Sequence, residues 1–520
     1  MEQNSSSHIF ILDTAAHWLG KRMREYSAPI LASAIFGMLA YLFAFTNKLV
    51  NHDEVFCLFS KGATVDSGRW GLGLLDSVFP NYSMPWLYGI LTLALMTAAI
   101  CVILHLLSIR SRLLQVLLAG CVIVFPSLIG TFGYMFTSSS YALSFLLAAL
   151  AAWFLARPSR WYVLPALGCM VLSLSIYQSY VAVTASLLVL VLIHRLLRDE
   201  KAAAVLREGL YFVAFLLVSL VLYYLATGIV LRITGTQFNA YASDSVTFRL
   251  SELPERIGLA YSSFQRFFAE GYRGLIPTAL SHLAHWVCLG GAGILLAVWC
   301  CLRKEKNVPR LLLLLFLIAI VPLAVNCMYL ITTADSIHTL VLYGFVAVYL
   351  LAAILAEACL SLTAAGRMSA LLRRTALNAV TLAMAVILVS NLYVANEAYL
   401  GMYLRYENAY AFYTALVSDI KLTPGFDENT KLAIIGHWEK PAYDVERFEF
   451  LKPLAGVQGF SPNSYSRQRF LEYYLGFSTS FATDEECREI QETPEFAEMA
   501  VYPYYGSMGM IGDILVVKLS

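Results

Sequence analysis

Apolar runs of 18 or more residues recur along most of this chain. Each is long enough to cross the roughly 30 Å hydrocarbon core of a bilayer as a helix. Backbone polar groups inside lipid must be satisfied within the segment itself, so the runs restrict the chain to a helical bundle. Charged residues make up only 14% of the 520, against roughly 25% in a soluble globular chain, which excludes soluble cores as their explanation. The expected fold is a polytopic α-helical membrane protein of about eleven spans. They lie near 28–46, 84–107, 113–130, 138–156, 161–177, 180–197, 209–231, 279–302, 310–331, 339–362 and 375–395. The run that follows segment 1–27 has no convincing small-residue cleavage site, so it is expected to stay as an anchor.

The loops divide by charge. One set carries Lys21, Arg22 and Arg24; Arg110 and Arg112; Arg157 and Arg160; Arg195 and Arg198; Arg303 and Lys304; and Arg367, Arg373 and Arg374. The opposite short loops, 131–137, 178–179 and 332–338, carry no Lys or Arg. Basic loops stay on the cytoplasmic side, so the N-terminus is expected to be cytoplasmic. The external pieces are then loop 47–83, loop 232–278 and the tail 396–520. With a net charge of +1, nothing in the balance suggests a nucleic-acid partner.

The tail is long enough for a small α/β domain. Its first stretch, NEAYLGMYLRYENAYAFYTALVSDI, is predicted to continue the last span as a helical stalk. KLAIIGHW and ILVVKL are strand-like, whereas RQRFLEYYLGF and DEECREIQ suggest helices. The tail aromatics Trp438, Tyr443, Tyr473, Tyr474, Tyr502, Tyr504 and Tyr505 could bind a glycan or form the domain's core. Loop 232–278 carries Asp244 and Arg249 ahead of an amphipathic stretch, SELPERIGLAYSSFQRFFAEGYRGL, which includes Arg273. It is expected to be a surface helix, or a lid over the first loop. The ten cysteines fall mostly inside spans and show no metal-ligand spacing; a bridge between Cys57 and Cys487 stays open.

Polar chemistry gathers on the external side. NHDEVF (51–56) places Asp53 and Glu54 just past the first span. The pair either caps a short helix started by His52 or Asp53, or supplies a general base. Arg69 beside Trp70 could hold a phosphate in bidentate fashion or reach a lipid headgroup. Tyr177 and Gln178 occupy the outer turn of a tight hairpin, Asp335 and His338 another outer turn, and Arg232 the outer end of the seventh span. Each is a candidate substrate contact or an interfacial anchor. No Walker A loop, GxGxxG after a strand, HExxH or GxSxG in its proper setting is present. An external transferase without a nucleotide-sugar site needs a donor that arrives on a lipid.

The acid pair, SGRWG (67–71), the IYQSY hairpin (176–180) and the closing MAVYPYYGSMGMIGDILVVKL (499–519) together resemble the bacterial serotype-converting glucosyltransferase II family, multi-span enzymes of the GT-C class. The resemblance spans nearly the whole chain, although this chain has Asp-Glu where many GT-C chains have two aspartates. It implies a hexosyltransferase, probing outward from a bacterial plasma membrane, that moves glucose from a polyprenyl phosphate to an O-antigen-like surface polysaccharide. Undecaprenyl-phosphate glucose is the implied donor, and inversion at the anomeric carbon the implied outcome. It also implies Asp53 as base, Glu54 as a second acid and Arg69 as a phosphate contact. A donor-making synthase and a flippase become expected partners alongside membrane lipid. No cofactor is required, and a divalent metal is not demanded. A lipid-linked-glycan flippase or transporter, or a polymerase or ligase, is the alternative. Mostly apolar span interiors without paired halves speak against transport.

Overall fold

The computed structural model describes residues 20, 23–78, 82–239, 250–271, 276, 278–362, 367–427, 429–438 and 447–520. Lys21, Arg22, Asp244, Arg249, Arg273 and Tyr443 lie outside the described residues. The helices in chain order are α1 Ser27–Thr46, α2 His52–Phe56, α3 Trp70–Val78, α4 Pro85–Leu106, α5 Arg112–Ile123, α6 Pro126–Phe132, α7 Met135–Leu155, α8 Val163–Ile176 and α9 Val181–Leu197. They continue with α10 Ala202–Thr234, α11 Leu253–Glu270, α12 Ala279–Arg303, α13 Val308–Val325, α14 Ala347–Leu360, α15 Arg367–Leu422, α16 Ser464–Leu475, α17 Asp484–Gln491 and α18 Pro494–Glu498.

Among the described residues, nine helices are long and apolar enough to cross a membrane, and the chain is a membrane protein. The count is ten if α5 and α6, bent by 46°, make one span. All eleven expected segments are helical, yet two fall short of a full span. The first breaks at Phe125, whose ψ of 138° is extended. Pro126 forces that break, because proline disfavours the α region in the residue before it and brings no N–H of its own. The second, Arg160–Ile176, is too short to qualify alone. The segment expected at 310–331 leaves the α-helix at Val325, three residues past Pro322, and continues as a 3-10 turn over Cys327–Leu330.

Residues 339–356 are buried throughout and form the centre of the bundle, whereas most of α10 faces outward. The last span is part of α15, a 56-residue helix about 84 Å long at 1.5 Å per residue. Its far half meets a three-stranded sheet, order β1-β3-β2, made of Lys431–Ile435, Met508–Ile511 and Ile514–Lys518. β1 runs parallel to β3, with Ala433 opposite Val516, and β2 antiparallel to it. α15 contributes Tyr413, Leu416 and Ile420 to one core with Leu432, Leu515, Val517 and Phe470. Cys57 and Cys487 are free thiols, so the bridge left open by the sequence is not formed.

One contact ties the pieces together. Asn51 caps α2, its side chain accepting from the Glu54 N–H at 2.8 Å; the helix starts at His52, as expected, with Asn51 rather than the acid pair as its cap. The same side-chain amide donates to the Gly133 carbonyl at 2.7 Å and the Gly456 carbonyl at 2.9 Å. First loop, bundle and tail therefore meet at one buried group. The backbones approach so closely that a Cβ on Gly456 (φ +89°) would sit 2.4 Å from the Gly130 oxygen. Asn51→Ala should lower stability by roughly 2–4 kcal/mol, combining a lost cap with two buried carbonyls left without donors. Thermal unfolding in detergent checks this, and Asn51→Asp, which keeps the cap but not the amide donor, should recover only part of the loss.

Candidate functional site

The first loop folds as two short helices, α2 and α3, joined by a turn that ends at Gly68 (φ +73°). α2 points its first turn, with Asp53 and Glu54, at the junction of the bundle and the tail. The two acids meet different surroundings.

Glu54 is wholly buried. One carboxylate oxygen accepts from Lys48 Nζ and from Ser83 Oγ, and the other lies 3.4 Å from the Phe136 N–H. Lys48 also donates to Ser83 at 2.8 Å. This is an ion pair closed over by the loop's two ends.

Asp53 is half-buried. Burial pushes its carboxyl above the usual aspartate value and the nearby Glu54 adds to that. The Tyr465 hydroxyl donates to it, and His52 and Arg69 pull the other way. Tyr465 comes from α16 in the tail and stacks on Phe56 at 4.6 Å; His52 is 2.8 Å from Ser466 of the same helix. The acid therefore lies between the first loop and the tail.

Arg69 rests on an aromatic floor. Its guanidinium lies 5.6 Å over the Tyr177 ring, and its Nη1 donates to the Tyr141 hydroxyl at 3.3 Å. Tyr141 and Tyr177 are stacked at 4.3 Å. Gln178 holds the turn itself, its Nε2 donating to the Ser67 carbonyl at 3.1 Å and to the Tyr223 hydroxyl at 2.9 Å. Tyr223 donates in turn to the Gly68 carbonyl at 3.0 Å, and Trp70 Nε1 to Thr227 at 3.2 Å. A Cβ on Gly68 would come within 2.7 Å of the Tyr223 oxygen, which fixes glycine there. Arg69, Trp70, Tyr177 and Gln178 thus form one assembly. Trp70 and Gln178 spend their polar atoms on its architecture.

The other candidates stand apart. Arg232 is exposed in the last turn of α10. Asp335 is exposed in the turn Ala334–Ser336 and His338 caps the 3-10 stretch that follows. Among the described residues, no hydrogen bond or ion pair joins Asp335 or Arg232 to Asp53. Of the tail aromatics, Trp438, Tyr474 and Tyr502 pack on the core, Tyr473 meets Phe59 and Arg469, and Tyr504 and Tyr505 are exposed.

Sequence reasoning passed over Lys48, Lys61 and Tyr465. Lys48 follows the first span directly and reads as a boundary charge. Lys61 is buried, 3.8 Å from Asp76 and 3.4 Å from Ser140, with burial pulling its ammonium down. Tyr465 lies over 400 residues from the acid it serves, and no local pattern announces that contact. Tyr474 keeps a buried hydroxyl without a hydrogen-bond partner among the described residues and lies close enough to feel the charge of Glu54. Among the described residues no three His, Cys, Asp or Glu side chains group as metal ligands.

The long apolar helices make the chain an integral membrane protein. The sequence model of the family described as glucosyl transferase GtrII matches residues 42–351, more than half of the chain, and the chain belongs to that family. It is a membrane glycosyltransferase. No curated protein matches it. Among solved structures, a cryo-EM structure of the arabinofuranosyltransferase AftD from Mycobacteria is similar at 15% identity and a TM-score of 0.32, over 85% of this chain and 31% of that one. The chain thus spans about a third of that protein's length.

The different surroundings of the two acids predict opposite stability effects. Glu54→Gln leaves Lys48 without its counter-charge beside a buried group, and should cost roughly 3 kcal/mol. Asp53 has a folded-state pKa raised above its unfolded value, so its ionised form opposes folding once pH exceeds that value. Asp53→Asn should therefore leave the unfolding midpoint at pH 7 unchanged or raise it. Thermal melts of the two variants side by side check both signs.

Proposed function

We propose that this enzyme moves a hexose, glucose by its family, from a polyprenyl phosphate to a hydroxyl of a surface glycan on the external side of a bacterial plasma membrane. Asp53 is the general base of this reading. The observation that carries it is the state of that carboxylate: half-buried, raised by burial, bonded by Tyr465 and within the field of Arg69. A base near its operating pH transfers protons most effectively, and desolvation moves an aspartate in that direction.

In the reaction the acceptor oxygen attacks the anomeric carbon from the face opposite the phosphate. A new glycosidic C–O bond forms as the bond to the phosphate oxygen breaks, which inverts the centre. Asp53 takes the acceptor's proton, and the lipid phosphate leaves with the bonding pair. Arg69, held flat on Tyr177, is the cation for that phosphate, since a planar guanidinium matches two phosphate oxygens. Charge developing on the leaving oxygen is where a fixed cation contributes most. The class is GT-C in this reading, with the basic loops cytoplasmic and the tail beside the acceptor.

Purified protein in nanodiscs with undecaprenyl-phosphate glucose and acceptor glycan tests the reading. Asp53→Asn should lower kcat by at least ~100-fold, as loss of a general base does. Glu54→Gln should lose activity only to the extent that it unfolds. Transfer should also fail on the acid side, through a pKa above the ordinary aspartate value of about 3.9. Tyr465→Phe removes a bond that favours the carboxylate and should move that limb to higher pH. Unchanged turnover in Asp53→Asn would remove Asp53 from the chemistry. Wild-type transfer from no polyprenyl-phosphate sugar would reject the donor class.

A further inference from the structure

The tail helix α16 and the first loop meet along a row of exposed rings. Tyr465, Arg469 and Tyr473 follow one another at four-residue spacing on α16 and share one face of it. Phe56 and Phe59 of the first loop pack against that face. Phe56 stacks on Tyr465 with ring centres 4.6 Å apart, and Phe59 meets Tyr473 edge-on at 5.0 Å. The Arg469 guanidinium joins the two contacts, 6.0 Å over Phe56 and 5.4 Å over Tyr473, within cation–π range of both. Tyr82, near the loop's other end, extends the row edge-on to Phe59 at 5.6 Å.

Core aromatics bury their rings, and these do not. Phe56, Phe59, Tyr82 and Tyr465 are each between 42% and 54% exposed. Single exposed rings need no explanation, whereas a contiguous exposed apolar surface marks an interaction site. The margin of this one is polar. Arg469 Nη1 donates to Glu472 at 3.2 Å and to the Tyr473 hydroxyl at 2.9 Å, and the two charged side chains remain 42% and 38% exposed. Rings edged with hydrogen-bonding groups suit a ligand that is apolar on its faces and polar around its rim. A pyranose is built that way, with C–H bonds on its faces and hydroxyls at its edge. Acyl chains carry no donor or acceptor for Arg469 and Glu472.

Position is the second argument. The row begins at the base, because the Tyr465 hydroxyl donates to Asp53, and it continues from there through the other four rings. An acceptor glycan must bring one hydroxyl to that carboxylate while the rest of its chain rests on the protein nearby. We infer that the row from Tyr465 to Tyr82 is the acceptor subsite, seating the sugars that flank the one glucosylated at Asp53. The inference rests on the glycan acceptor of the preceding section and adds where its neighbouring sugars lie. Half of the seat comes from the first loop and half from α16, so it exists only while the tail is docked.

Removing a ring far from the base tests the assignment. Phe59 touches Tyr82 and Tyr473 rather than Asp53, and its exposure makes Phe59→Ala a mild change for folding. Arg469→Gln is the second variant. The probe is the cell's own surface polysaccharide, cut to single sugars and to longer fragments, titrated without donor onto the full chain in nanodiscs. Wild type should bind the longer fragments, and each variant should weaken that binding at least about tenfold, as loss of a central contact side chain does. Phe59→Trp, which keeps a ring, should restore it. In transfer assays the preference for long over single-sugar acceptors, read as a ratio of kcat/KM, should fall by the same factor, with the loss in KM rather than kcat.

Variants that bind like wild type, a loss carried by kcat, or a wild type with no preference for the longer acceptor each overturn the assignment. Added fluorescence in Phe59→Trp that brominated phosphatidylcholine quenches and the long fragments leave unmoved gives the row to the membrane surface instead. Wild-type transfer of glucose to the polysaccharide keeps the enzyme reading intact whatever the row variants do. If wild type neither binds nor glucosylates the polysaccharide, the glycan acceptor itself is rejected and the subsite with it.

Discussion

The side-chain amide of Asn51 is the interaction on which the site depends. It accepts once, to start α2, and donates twice, to carbonyls 82 and 405 residues away. Both carbonyls are glycine's, at a crossing where a Cβ would collide with backbone. Side-chain bulk is removed so that two backbones can approach, and the amide fills their hydrogen-bonding needs. A buried carbonyl without a donor is costly, so the crossing and the amide stabilise each other. The helix launched there is only five residues long. Its direction comes from the anchor, not from helix propensity.

That direction separates two adjacent acids. Consecutive helical residues point about 100° apart at 3.6 residues per turn. With the start of α2 fixed, Glu54 turns into the protein and Asp53 toward the tail. A longer, freely sliding loop would let the acids exchange roles, whereas a capped first turn does not. The tail then completes the environment of Asp53 through Tyr465 and closes over His52 through Ser466. A domain that could be regarded as an appendage supplies part of the acid's surroundings.

Spans were legible because hydropathy over 18 residues is a strong, local signal. The pieces that departed from expectation did so for local reasons of another kind. Pro126 bends one span, and the short α8 depends on neighbours to sit in the bundle. The sequence pattern also placed polar groups on one side, and the contacts of Arg69 with Tyr177 and of Gln178 with Ser67 join two of those loops directly. Partnership was not legible. Nothing near Asp53 in the sequence announces Tyr465, and nothing near Glu54 announces Ser83, because both pairings follow from how distant helices pack. Arg232 and Asp335 illustrate the converse: residues on the same side need not share a site.

The lysine after the first span explains how adjacent carboxylates can coexist. Two acids at neighbouring positions would ordinarily raise each other's pKa, and one would hold its proton. Lys48 pairs with Glu54, although the charge of Glu54 still adds to the upward shift of Asp53. Burial of Asp53 still raises its pKa, while Tyr465 and Arg69 limit the rise. The balance leaves a half-buried carboxylate whose pKa lies above the ordinary aspartate value. Glu54 holds Lys48 and Ser83 together where the first loop begins and ends.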